Sequence, residues 1–501
     1  MIYKLRPYQE ECVKSISDYI NSDRHDPVLI VGPVGCGKSL LIAEAARLMG
    51  DKTLILQPSK ELLQQNHDKI TSYGIPATIY SASCGKKELS NMIYATLGSI
   101  NKVVDKLKEM GIRNVLIDEA HAGYSPEDGS EFMTFMNELK PKKVIGFTAT
   151  PCRLKTMSIG QVSYSQLNFI TRMRPVYFKN LIHVIQVEEM IRQGFWTPLK
   201  YETWDFNGDA LKLNSNGSEY TAESISEAVR KNGLNNLILR RLMVLKDVCR
   251  SILVFMDSVE SCNTAAEWMN AKICAGMAEV VHGGTPKRQR EAIVERFKSG
   301  GTQVVFNYSA LGTGFDHPGL DCVVFGRPTF SFSTWYQAIG RAVRIKDGKD
   351  SAMVVDCCDN SSRFGDIRGL SIENYKGYGW GMFIDDKLIT NIPMGDKVTK
   401  TDLDIKAAKK DRRRGLAQGV TAAPIPGRPP HPLGSTVMAF GKYSGWMLHS
   451  IPVSYFKFIN ETFDWDNDRN KDIKEYIDFL IKNNSCLLYT SPSPRDAHES
   501  R

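Results

Sequence analysis

Short apolar runs recur along the first part of the chain, and the segments between them have apolar positions at helical spacing. Runs of this kind are typical of strands buried on both faces of a parallel sheet. The segments that follow them are typical of amphipathic helices, and an earlier one begins at Pro7. The predicted strands are Val28–Val31, Leu54–Leu56, Ile79–Ala82, Ile93–Thr96 and Val115–Ile117, and a last one within Val144–Pro151.

A second series of the same kind follows the stretch Asp205–Tyr220, which is rich in Gly, Asn and Ser and predicts a junction between two lobes. Regular alternation of strands and helices implies a parallel, doubly wound sheet, so we predict an α/β protein with two tandem sheets of this type. The segment Cys152–Trp204, between the two series, predicts no definite fold. The predicted elements of the second series are strands at Ser251–Phe255, Glu279–His282, Val304–Phe306 and Val323–Phe325 and helices at Cys262–Asn270 and Lys287–Lys298.

The composition changes again beyond Asp356. A basic run, Lys406–Arg414, leads into the proline-rich Ala422–Pro430, which predicts a linker. The basic run either binds phosphates or is a solvated linker, and both interpretations stay open. Leu487–Asp496 resembles translated adapter sequence. The predicted boundaries are residues 1–204 for a first domain, 205–220 for the junction, 221–375 for a second domain, 376–433 for a basic and proline-rich linker, 434–482 for a small accessory module and 483–501 for a non-native tail.

Composition adds limits to this picture. The chain has 501 residues, 42% of them hydrophobic and 24% charged, which gives room for two or three domains. Its formal net charge of +8 suits a polyanionic partner without requiring one. The 11 cysteines are scattered without a C-x-x-C pair, which predicts neither a zinc site nor disulfides. No apolar run approaches the ~20 residues of a membrane span, and the N-terminus has no signal-peptide core, so we expect a cytoplasmic protein.

The stretch Gly32–Ser39 lies between the first predicted strand and a helical segment, and it has the pattern G-x-x-x-x-G-K-S. This is the pattern of a phosphate-binding loop, in which glycines let backbone N–H groups approach phosphates. Lys38 would reach the β- and γ-phosphates, and Ser39 would bind Mg²⁺. A plain glycine turn is the alternative, which the flanking strand and helix disfavour.

Two adjacent carboxylates, Asp118 and Glu119, come directly after the strand Val115–Ile117. In a hydrolytic phosphate-binding site, Asp118 would hold the magnesium shell and Glu119 would orient and deprotonate the attacking water. The hydroxyl residues Thr148 and Thr150 end the next strand and can hydrogen-bond the acidic pair. The simpler interpretation of the acidic pair is two adjacent acids on a surface. The simpler interpretation of the two threonines is a plain turn.

In the second series, Gly312–Asp316 is a glycine-rich loop after a strand. The segment that follows predicts a helix on which Gln337, Arg341 and Arg344 occupy successive turns of one face. Such a face can direct guanidinium groups at a γ-phosphate held by the other lobe, as an arginine finger does. A solvated basic helix is the alternative.

Together these blocks resemble a superfamily 2 helicase of the DEAD/DEAH-like group over Met1–Asp356, and within it helicases related to XPB and phage UvsW. The resemblance implies two RecA-like domains that hydrolyse ATP with Mg²⁺ between them. Arg6–Gln9 resembles the adenine-reading Q motif, and the Gln9 amide offers the donor and acceptor that an adenine edge requires; taken alone, it would be a surface glutamine. Gly32–Ser39 is similar to motif I, Pro58–Gln65 to motif Ia, Asp118–His121 to motif II, Thr148–Thr150 to motif III, Gly312–Asp316 to motif V and Gln337–Arg344 to motif VI.

The implied site residues fall into four groups. The catalytic ones are Glu119, Lys38, Arg344, Arg341 and Gln337, and the nucleotide-binding ones are Arg6, Gln9, Gly32, Gly35, Cys36, Gly37, Lys38, Ser39, Gly314 and Asp316. Magnesium would be held by Ser39 and Asp118, and His121, Thr148 and Thr150 would couple hydrolysis to movement. Near the C-terminus, Phe440–Trp446 and the aromatic residues after it resemble the C-terminal module of exodeoxyribonuclease X-like proteins, which implies a surface for a protein partner. Aromatic residues interleaved with lysines suit stacking on bases, but in so small a module such residues more often form the core.

The sequence thus predicts an ATP-dependent helicase or translocase that acts on nucleic acid, DNA rather than RNA, of duplex or branched form, without a membrane partner. One alternative is a nucleic-acid-stimulated ATPase that remodels without separating strands. A second is the motor subunit of a restriction-like complex, in which a partner would supply the nuclease. A third is a P-loop protein unrelated to nucleic acid, which leaves Arg341 and Arg344 unexplained.

Overall fold

The computed structural model describes residues 4–50, 52–159, 162–310, 315, 317–376, 378–394, 396–405, 431–436, 438, 443, 446–451, 453–462 and 470–483. The chain divides into two compact units, Met1–Lys400 and Thr401–Arg501. The predicted basic run Lys406–Arg414, the linker Ala422–Pro430 and the tail segment Leu487–Asp496 lie outside the described residues.

Helices and strands alternate through most of the first unit. The helices are α1 Pro7–Asn21, α2 Lys38–Met49, α3 Lys60–Ser72, α4 Leu97–Ile100, α5 Val104–Glu109, α6 Glu131–Leu139, α7 Val187–Arg192, α8 Ala222–Lys231, α9 Leu234–Val248, α10 Val259–Lys272, α11 Lys287–Ser299, α12 Phe332–Ala342, α13 Asn360–Phe364, α14 Val453–Thr462 and α15 Lys471–Asn483. The strands are β1 Val28–Val31, β2 Thr53–Leu56, β3 Thr78–Ser81, β4 Lys86–Lys87, β5 Met92–Ala95, β6 Asn114–Ile117, β7 Lys143–Thr148, β8 Cys152–Ile159, β9 Val162–Phe169, β10 Asn180–Val184, β11 Leu199–Thr203, β12 Ile252–Phe255, β13 Ala278–His282, β14 Val304–Tyr308, β15 Cys322–Phe325, β16 Ala352–Asp356, β17 Leu370–Tyr375, β18 Gly379–Ile384, β19 Lys387–Leu388 and β20 Val398–Thr399.

The first lobe is built on an eight-stranded sheet with the order β10-β1-β7-β6-β2-β5-β3-β4. Its strands pair in parallel except at the edge, where β4 is antiparallel to β3. Every residue of β1, β2, β5 and β6 is buried, which is why these strands appear in the sequence as unbroken apolar runs. All the strands predicted in this part of the chain are present.

The second lobe is built on a parallel six-stranded sheet with the order β11-β16-β15-β12-β14-β13. The predicted α/β class with two parallel sheets is confirmed. β11 pairs with β16, so the chain has entered the second lobe by Leu199, earlier than the predicted boundary after residue 204. Trp204, Phe206, Leu211 and Tyr220 also pack on the core of the second lobe, so most of the predicted junction is part of this lobe.

Two smaller sheets complete the first unit. β8 and β9 form an antiparallel hairpin within the segment that predicted no definite fold. β17, β18, β19 and β20 form a four-stranded antiparallel sheet. Three of these strands lie inside residues 376–433, the range predicted to be a linker, so the first part of that range is folded.

The second unit has a small apolar core of its own, between α14 and α15. Phe456 and Tyr476 are almost fully buried in it, and Tyr443, Trp446 and Tyr455 pack against it partly exposed. The described aromatic residues of this unit therefore serve mainly as core. Within the described residues of the whole chain, we find no helix with the length and apolar character needed to cross a membrane.

Candidate active site

The loop Gly32–Ser39 connects the carboxyl end of β1 to the N-terminus of α2, as predicted. Gly35 and Gly37 have φ values of +81° and +82°, a left-handed conformation that favours glycine. A Cβ on Gly37 would lie 2.7 Å from Nε2 of Gln9, and one on Gly32 would lie 2.7 Å from Sγ of Cys36. The loop is thus a narrow turn, open at the start of a helix, where anions bind to backbone N–H groups.

Lys38, the first residue of α2, points at the acidic pair after β6. Its Nζ lies 2.5 Å from Oε1 of Glu119, and both side chains are largely buried. Burial lowers the pKa of Lys38, but the Glu119 and Asp118 carboxylates raise it by more, and the net shift is upward. Burial raises the pKa of Glu119, while the Lys38 ammonium and the hydrogen bond from His121 lower it by more, so Glu119 is ionised. An ammonium and a carboxylate are therefore held against each other at the mouth of the loop.

Asp118 is fixed by two hydrogen bonds. Its Oδ1 accepts from the backbone N–H of Glu119 at 2.9 Å, and its Oδ2 accepts from Nδ2 of Asn66 at 2.9 Å. Burial and the adjacent Glu119 charge raise the pKa of Asp118 above its ordinary range. A carboxyl group with a raised pKa gains from a bound cation, and Ser39 lines the same cleft. Asp118 and Ser39 are thus the residues suited to hold Mg²⁺.

His121 joins the acidic pair to the end of β7. Its Nδ1 lies 2.8 Å from Oγ1 of Thr148 and 3.3 Å from Oε2 of Glu119. Oγ1 of Thr148 accepts from the backbone N–H of Thr150 at 3.0 Å, and the Thr148 carbonyl accepts from the N–H of Gly32 at 3.0 Å. The structure therefore brings together the three residues expected to couple hydrolysis to movement, next to the phosphate-binding loop.

Gln9 and Arg6 also line this cleft. Nε2 of Gln9 donates to the carbonyl of Cys36 at 2.9 Å, and its Oε1 accepts from the N–H of Arg6 at 3.0 Å. The Arg6 guanidinium lies over the ring of Phe195, 4.4 Å from its centre. The Gln9 amide therefore helps to position the loop. The expectation that it contacts an adenine edge did not include this role.

The second lobe closes the cleft, which has a volume of about 550 Å³. Gln337, Arg341 and Arg344 line it opposite Lys38 and Glu119. α12 ends at Ala342, so Arg344 lies beyond the helix, and the prediction that it shares a helical face with Gln337 and Arg341 is wrong. Arg341 is only 7% exposed, and burial lowers its pKa to about 10 and also lowers that of Arg344. Gly314 and Asp316 lie outside the described residues.

The two lobes touch at the phosphate-binding loop itself. A Cβ on Gly340 would overlap the Val34 side chain and lie 2.8 Å from its Cγ1. Nε1 of Trp196 donates to the Val34 carbonyl at 2.9 Å, and Thr197, the next residue, donates its backbone N–H to the carbonyl of Val343 at 2.8 Å. The tip of the loop is therefore held between α12 and the segment that connects the lobes.

Sequence reasoning missed several residues of this site. Asn66 directly follows the motif Ia block, and its reach to Asp118 depends on how α3 packs. Phe195 and Trp196 are an aromatic pair in a segment without a predicted fold. Arg153 follows Thr150 closely and donates to three carbonyls of the loop after Glu119. Only its proximity to the Thr148–Thr150 block could have drawn attention to it.

Comparison with known proteins agrees with this geometry. Residues 2–153 match the family model of the type III restriction enzyme res subunit, and residues 235–346 match that of the helicase conserved C-terminal domain. The first matched range holds the loop, the acidic pair and Thr148–Thr150, and the second holds Gln337, Arg341 and Arg344.

Among curated proteins, the chain is 25% identical over 279 residues to the putative ATP-dependent helicase IRC3 of Saccharomyces cerevisiae. That match covers 55% of this chain and 38% of the yeast protein, so the chain spans well under half the length of this relative.

Two solved structures share the fold. The type ISP restriction-modification enzyme LlaBIII bound to DNA superposes with a TM-score of 0.52 at 15% identity, over 72% of this chain and 28% of that enzyme. A fragment of a putative HsdR subunit of a type I restriction enzyme from Vibrio vulnificus superposes with a TM-score of 0.53 at 19% identity, over 73% of this chain and 66% of that fragment. With both conserved domains present in sequence order, facing each other across the cleft, the chain belongs to the superfamily 2 helicases.

Proposed function

We propose that this chain hydrolyses ATP in the cleft between its two lobes and uses the cycle to move along nucleic acid and open it. The observation that carries the proposal is the pairing of Lys38 with Glu119 at the phosphate-binding loop, opposite Arg341 on the other lobe. This set combines a phosphate-binding cation, a base and a second cation supplied across a cleft, which are the parts that phosphoryl transfer requires.

The residues present fit ATP and Mg²⁺. A Cβ on Gly32 would collide with Cys36 and one on Gly37 with Gln9, so glycine is needed for the loop conformation in which backbone N–H groups can bind phosphate oxygens. Ser39 and Asp118 would hold Mg²⁺, which neutralises phosphate charge when it is bound. The cleft volume of about 550 Å³ lies within the range of small-molecule sites. Arg6, Gln9 and Phe195 border the end where we place the base.

Each catalytic side chain has a defined task in this proposal. Glu119 is ionised and buried, so it can accept a proton from the water that attacks the γ-phosphate. Lys38 exchanges its contact with Glu119 for phosphate oxygens, which frees the carboxylate for that water. Arg341 and Arg344 stabilise the charge that develops in the transition state, and Gln337 lies beside them in the cleft wall.

Movement follows from the way in which the phosphates are shared. The loop and the acidic pair belong to the first lobe, and the arginines belong to the second, so the γ-phosphate favours the closed cleft. Hydrolysis removes this shared contact and allows the lobes to separate. If each lobe holds the nucleic acid strand, one cycle of closing and opening moves the protein along that strand.

We propose DNA as the track, in duplex or branched form. The formal charge of +8 suits a polyanion, and one structural neighbour was solved bound to DNA. We further propose that the chain belongs to the group of XPB and phage UvsW, that it acts in the cytoplasm, and that its second unit is an exodeoxyribonuclease X-like module that binds nucleic acid or a protein partner.

A second candidate function is supported by two of the structural neighbours, which come from restriction enzymes. In that case the chain would be the motor of a complex whose nuclease is another subunit, or a remodelling ATPase that separates no strands. Affinity purification of the full chain from its host distinguishes the candidates: a nuclease that co-purifies in stoichiometric amounts favours the motor subunit.

Strand displacement on forked DNA tests the main proposal. Wild-type protein with ATP and Mg²⁺ should release the displaced strand, and Lys38→Ala should release none because it has lost its phosphate contact. A matched forked RNA is the control for the track. ATP hydrolysis without release of either strand would contradict unwinding and favour the remodelling ATPase.

A further inference from the structure

The β8–β9 hairpin begins directly at the catalytic region. Arg153, the second residue of β8, donates from Nε to the carbonyl of His121 at 2.7 Å. One of its terminal nitrogens donates to the carbonyls of Tyr124 at 2.6 Å and Ala120 at 3.2 Å. Hydrogen bonds from a charged donor are stronger than neutral ones, so one guanidinium fixes three carbonyls of the loop that follows Glu119.

Further along, the hairpin is tied to the second lobe. Oγ1 of Thr156 donates to the carbonyl of Asn216 at 2.7 Å, and Oγ of Ser165 donates to the carbonyl of Gly217 at 2.9 Å. Gly217 has a φ of +61°, and a Cβ there would lie 3.1 Å from Oγ of Ser165. The two chains approach this closely because position 217 has no side chain.

The same loop holds the start of α12. The Glu219 carboxylate accepts from Oγ1 of Thr329 at 2.7 Å and from the backbone N–H of Phe330 at 2.7 Å. Oγ1 of Thr329 accepts from the N–H of Ser331, whose side chain caps α12. Glu219 therefore fixes the N-terminus of the helix that carries Gln337 and Arg341.

We propose that the β8–β9 hairpin is a strut between the two halves of the active site, with Arg153 and Glu219 as positioning residues at its ends. The hairpin thereby fixes the position of the loop that follows Asp118 and Glu119 relative to α12. A two-stranded ladder, which here runs from the Cys152–Phe169 pair past the Thr156–Ser165 pair, transmits displacement better than a flexible loop, because its length is fixed by paired backbone hydrogen bonds. The role assigned to the strut in stimulated turnover rests on the proposed function.

The hairpin is also held from its other side. The backbone N–H groups of Asn391 and Met394 donate to the carbonyls of Leu167 at 2.7 Å and Ser165 at 2.8 Å. These bonds keep β9 in place when the bonds to Asn216 and Gly217 are removed. The contacts at Thr156 and Ser165 can therefore be deleted without releasing the hairpin.

The test is the double variant Thr156→Val and Ser165→Ala, which removes both hydroxyl donors and keeps the strand. Thr78→Val is the matched control, since Oγ1 of Thr78 donates to the carbonyl of Glu88 at 3.0 Å on the far edge of the first sheet. The first readout is amide hydrogen exchange in residues 120–124 of the nucleotide-free protein. We expect exchange there to be about tenfold faster in the double variant and unchanged in the control, a size typical of the loss of a coupling contact.

The second readout is the turnover number with saturating ATP, with and without duplex DNA. The double variant should keep its melting temperature, its KM for ATP and its unstimulated turnover, and its stimulation by DNA should fall about tenfold. Arg153→Lys, which replaces a planar guanidinium by a single ammonium, should lower the turnover number and leave KM unchanged.

The outcomes separate the strut from the function on which part of it rests. Unchanged exchange in residues 120–124 of the double variant overturns the strut whatever the protein does with DNA. If exchange is faster in the double variant while DNA does not stimulate the turnover of the wild type, that pair of results supports the strut and contradicts the proposed function. Wild-type stimulation retained in full by the double variant overturns the role of the strut in turnover.

Discussion

Gly340 of α12 packs directly against Val34 at the tip of the phosphate-binding loop, so closely that a methyl group on Gly340 would overlap the valine. The contact joins the second lobe to the loop at the place where we position the phosphates. It requires a residue without a side chain, because helix backbone and loop could not otherwise approach. The lobes therefore have a defined closed arrangement that depends on this one glycine.

Gly340→Ala should open the cleft. The added methyl group forces Val34 and α12 apart, and overpacking of this size costs about 1–3 kcal/mol, so kcat/KM for ATP should fall about tenfold. Val34→Gly in the same protein removes the overlapping atoms and should restore part of the loss. Gly98→Ala is the matched control, because a Cβ there meets only Oε1 of Glu131 at 3.8 Å. If Gly340→Ala hydrolyses ATP as the wild type does, the closed contact has no part in catalysis.

Glu119→Gln should separate binding from hydrolysis. The amide keeps the size of the side chain but cannot take a proton, so turnover should fall by roughly 10²–10⁴-fold. Nucleotide affinity should be kept, because Lys38 loses the carboxylate that competes with phosphate for it. Equilibrium binding of a fluorescent ATP analogue and steady-state phosphate release measure the two effects. Wild-type turnover in this variant would remove Glu119 from the role of base.

Asn66→Ala should weaken the binding of Mg²⁺ rather than of nucleotide. Asn66 is 2% exposed, and its Nδ2 donates both to Asp118 and to Oε1 of Gln57. Loss of a residue that orients a metal ligand typically costs about 10–100-fold in metal affinity, so the Mg²⁺ concentration for half-maximal turnover should rise by that factor. Gln64→Ala, on the same helix, should leave it unchanged, because the Gln64 amide donates to Asp68 instead of Asp118. An unchanged Mg²⁺ requirement in Asn66→Ala would show that Asp118 needs no such support.

Lys349 should make stability depend on pH. Burial lowers its pKa to about 8, and its Nζ donates to the carbonyls of Ala342 at 2.6 Å and Arg344 at 2.8 Å, just after α12. Since the unfolded lysine titrates near its ordinary pKa of about 10.4, the unfolded state binds more protons than the folded state between these values. The free energy of unfolding of the wild type should therefore rise with pH above about 8, relative to Lys349→Met.

Urea unfolding of the two proteins at several pH values between 7 and 10 measures this difference. Lys106→Met, at an exposed position of α5 in the first lobe, is the control and should follow the wild type. A difference between wild type and Lys349→Met that stays constant over this range would contradict the lowered pKa.

The sequence was sufficient to predict most of the sheet framework and the loop and acidic pair that follow its strands. β1, β2, β5 and β6 are buried along their whole length, so their apolar runs could have no other origin. Lys38, Glu119 and His121 were found because each follows such a run closely along the chain. A local sequence pattern is enough to predict a site residue when the strand, the turn and that residue follow one another along the chain.

Contacts between distant segments could not be predicted in this way. Asn66 meets Asp118, and Gly340 meets Val34, only after the sheet and the lobes have formed. The predicted C-terminus of α12 was also wrong. The carbonyls of Val343 and Arg344 accept hydrogen bonds from Thr197 and Lys349, and the helix ends before them. β18 was missed because Gly379–Ile384 shows no apolar–polar alternation, and β19 and β20 were missed because two residues are too few to form a pattern.

ATP turnover of the full chain should be measured first, without nucleic acid and then with single-stranded DNA, duplex DNA, forked DNA and matched RNAs, at low and moderate salt. A motor that couples the cleft to a track should be stimulated strongly by one of these classes, and we expect forked or duplex DNA to give the highest rate, with weaker stimulation as salt increases. A turnover rate that is the same with every nucleic acid, at both salt concentrations, would contradict a nucleic-acid-coupled motor in this chain.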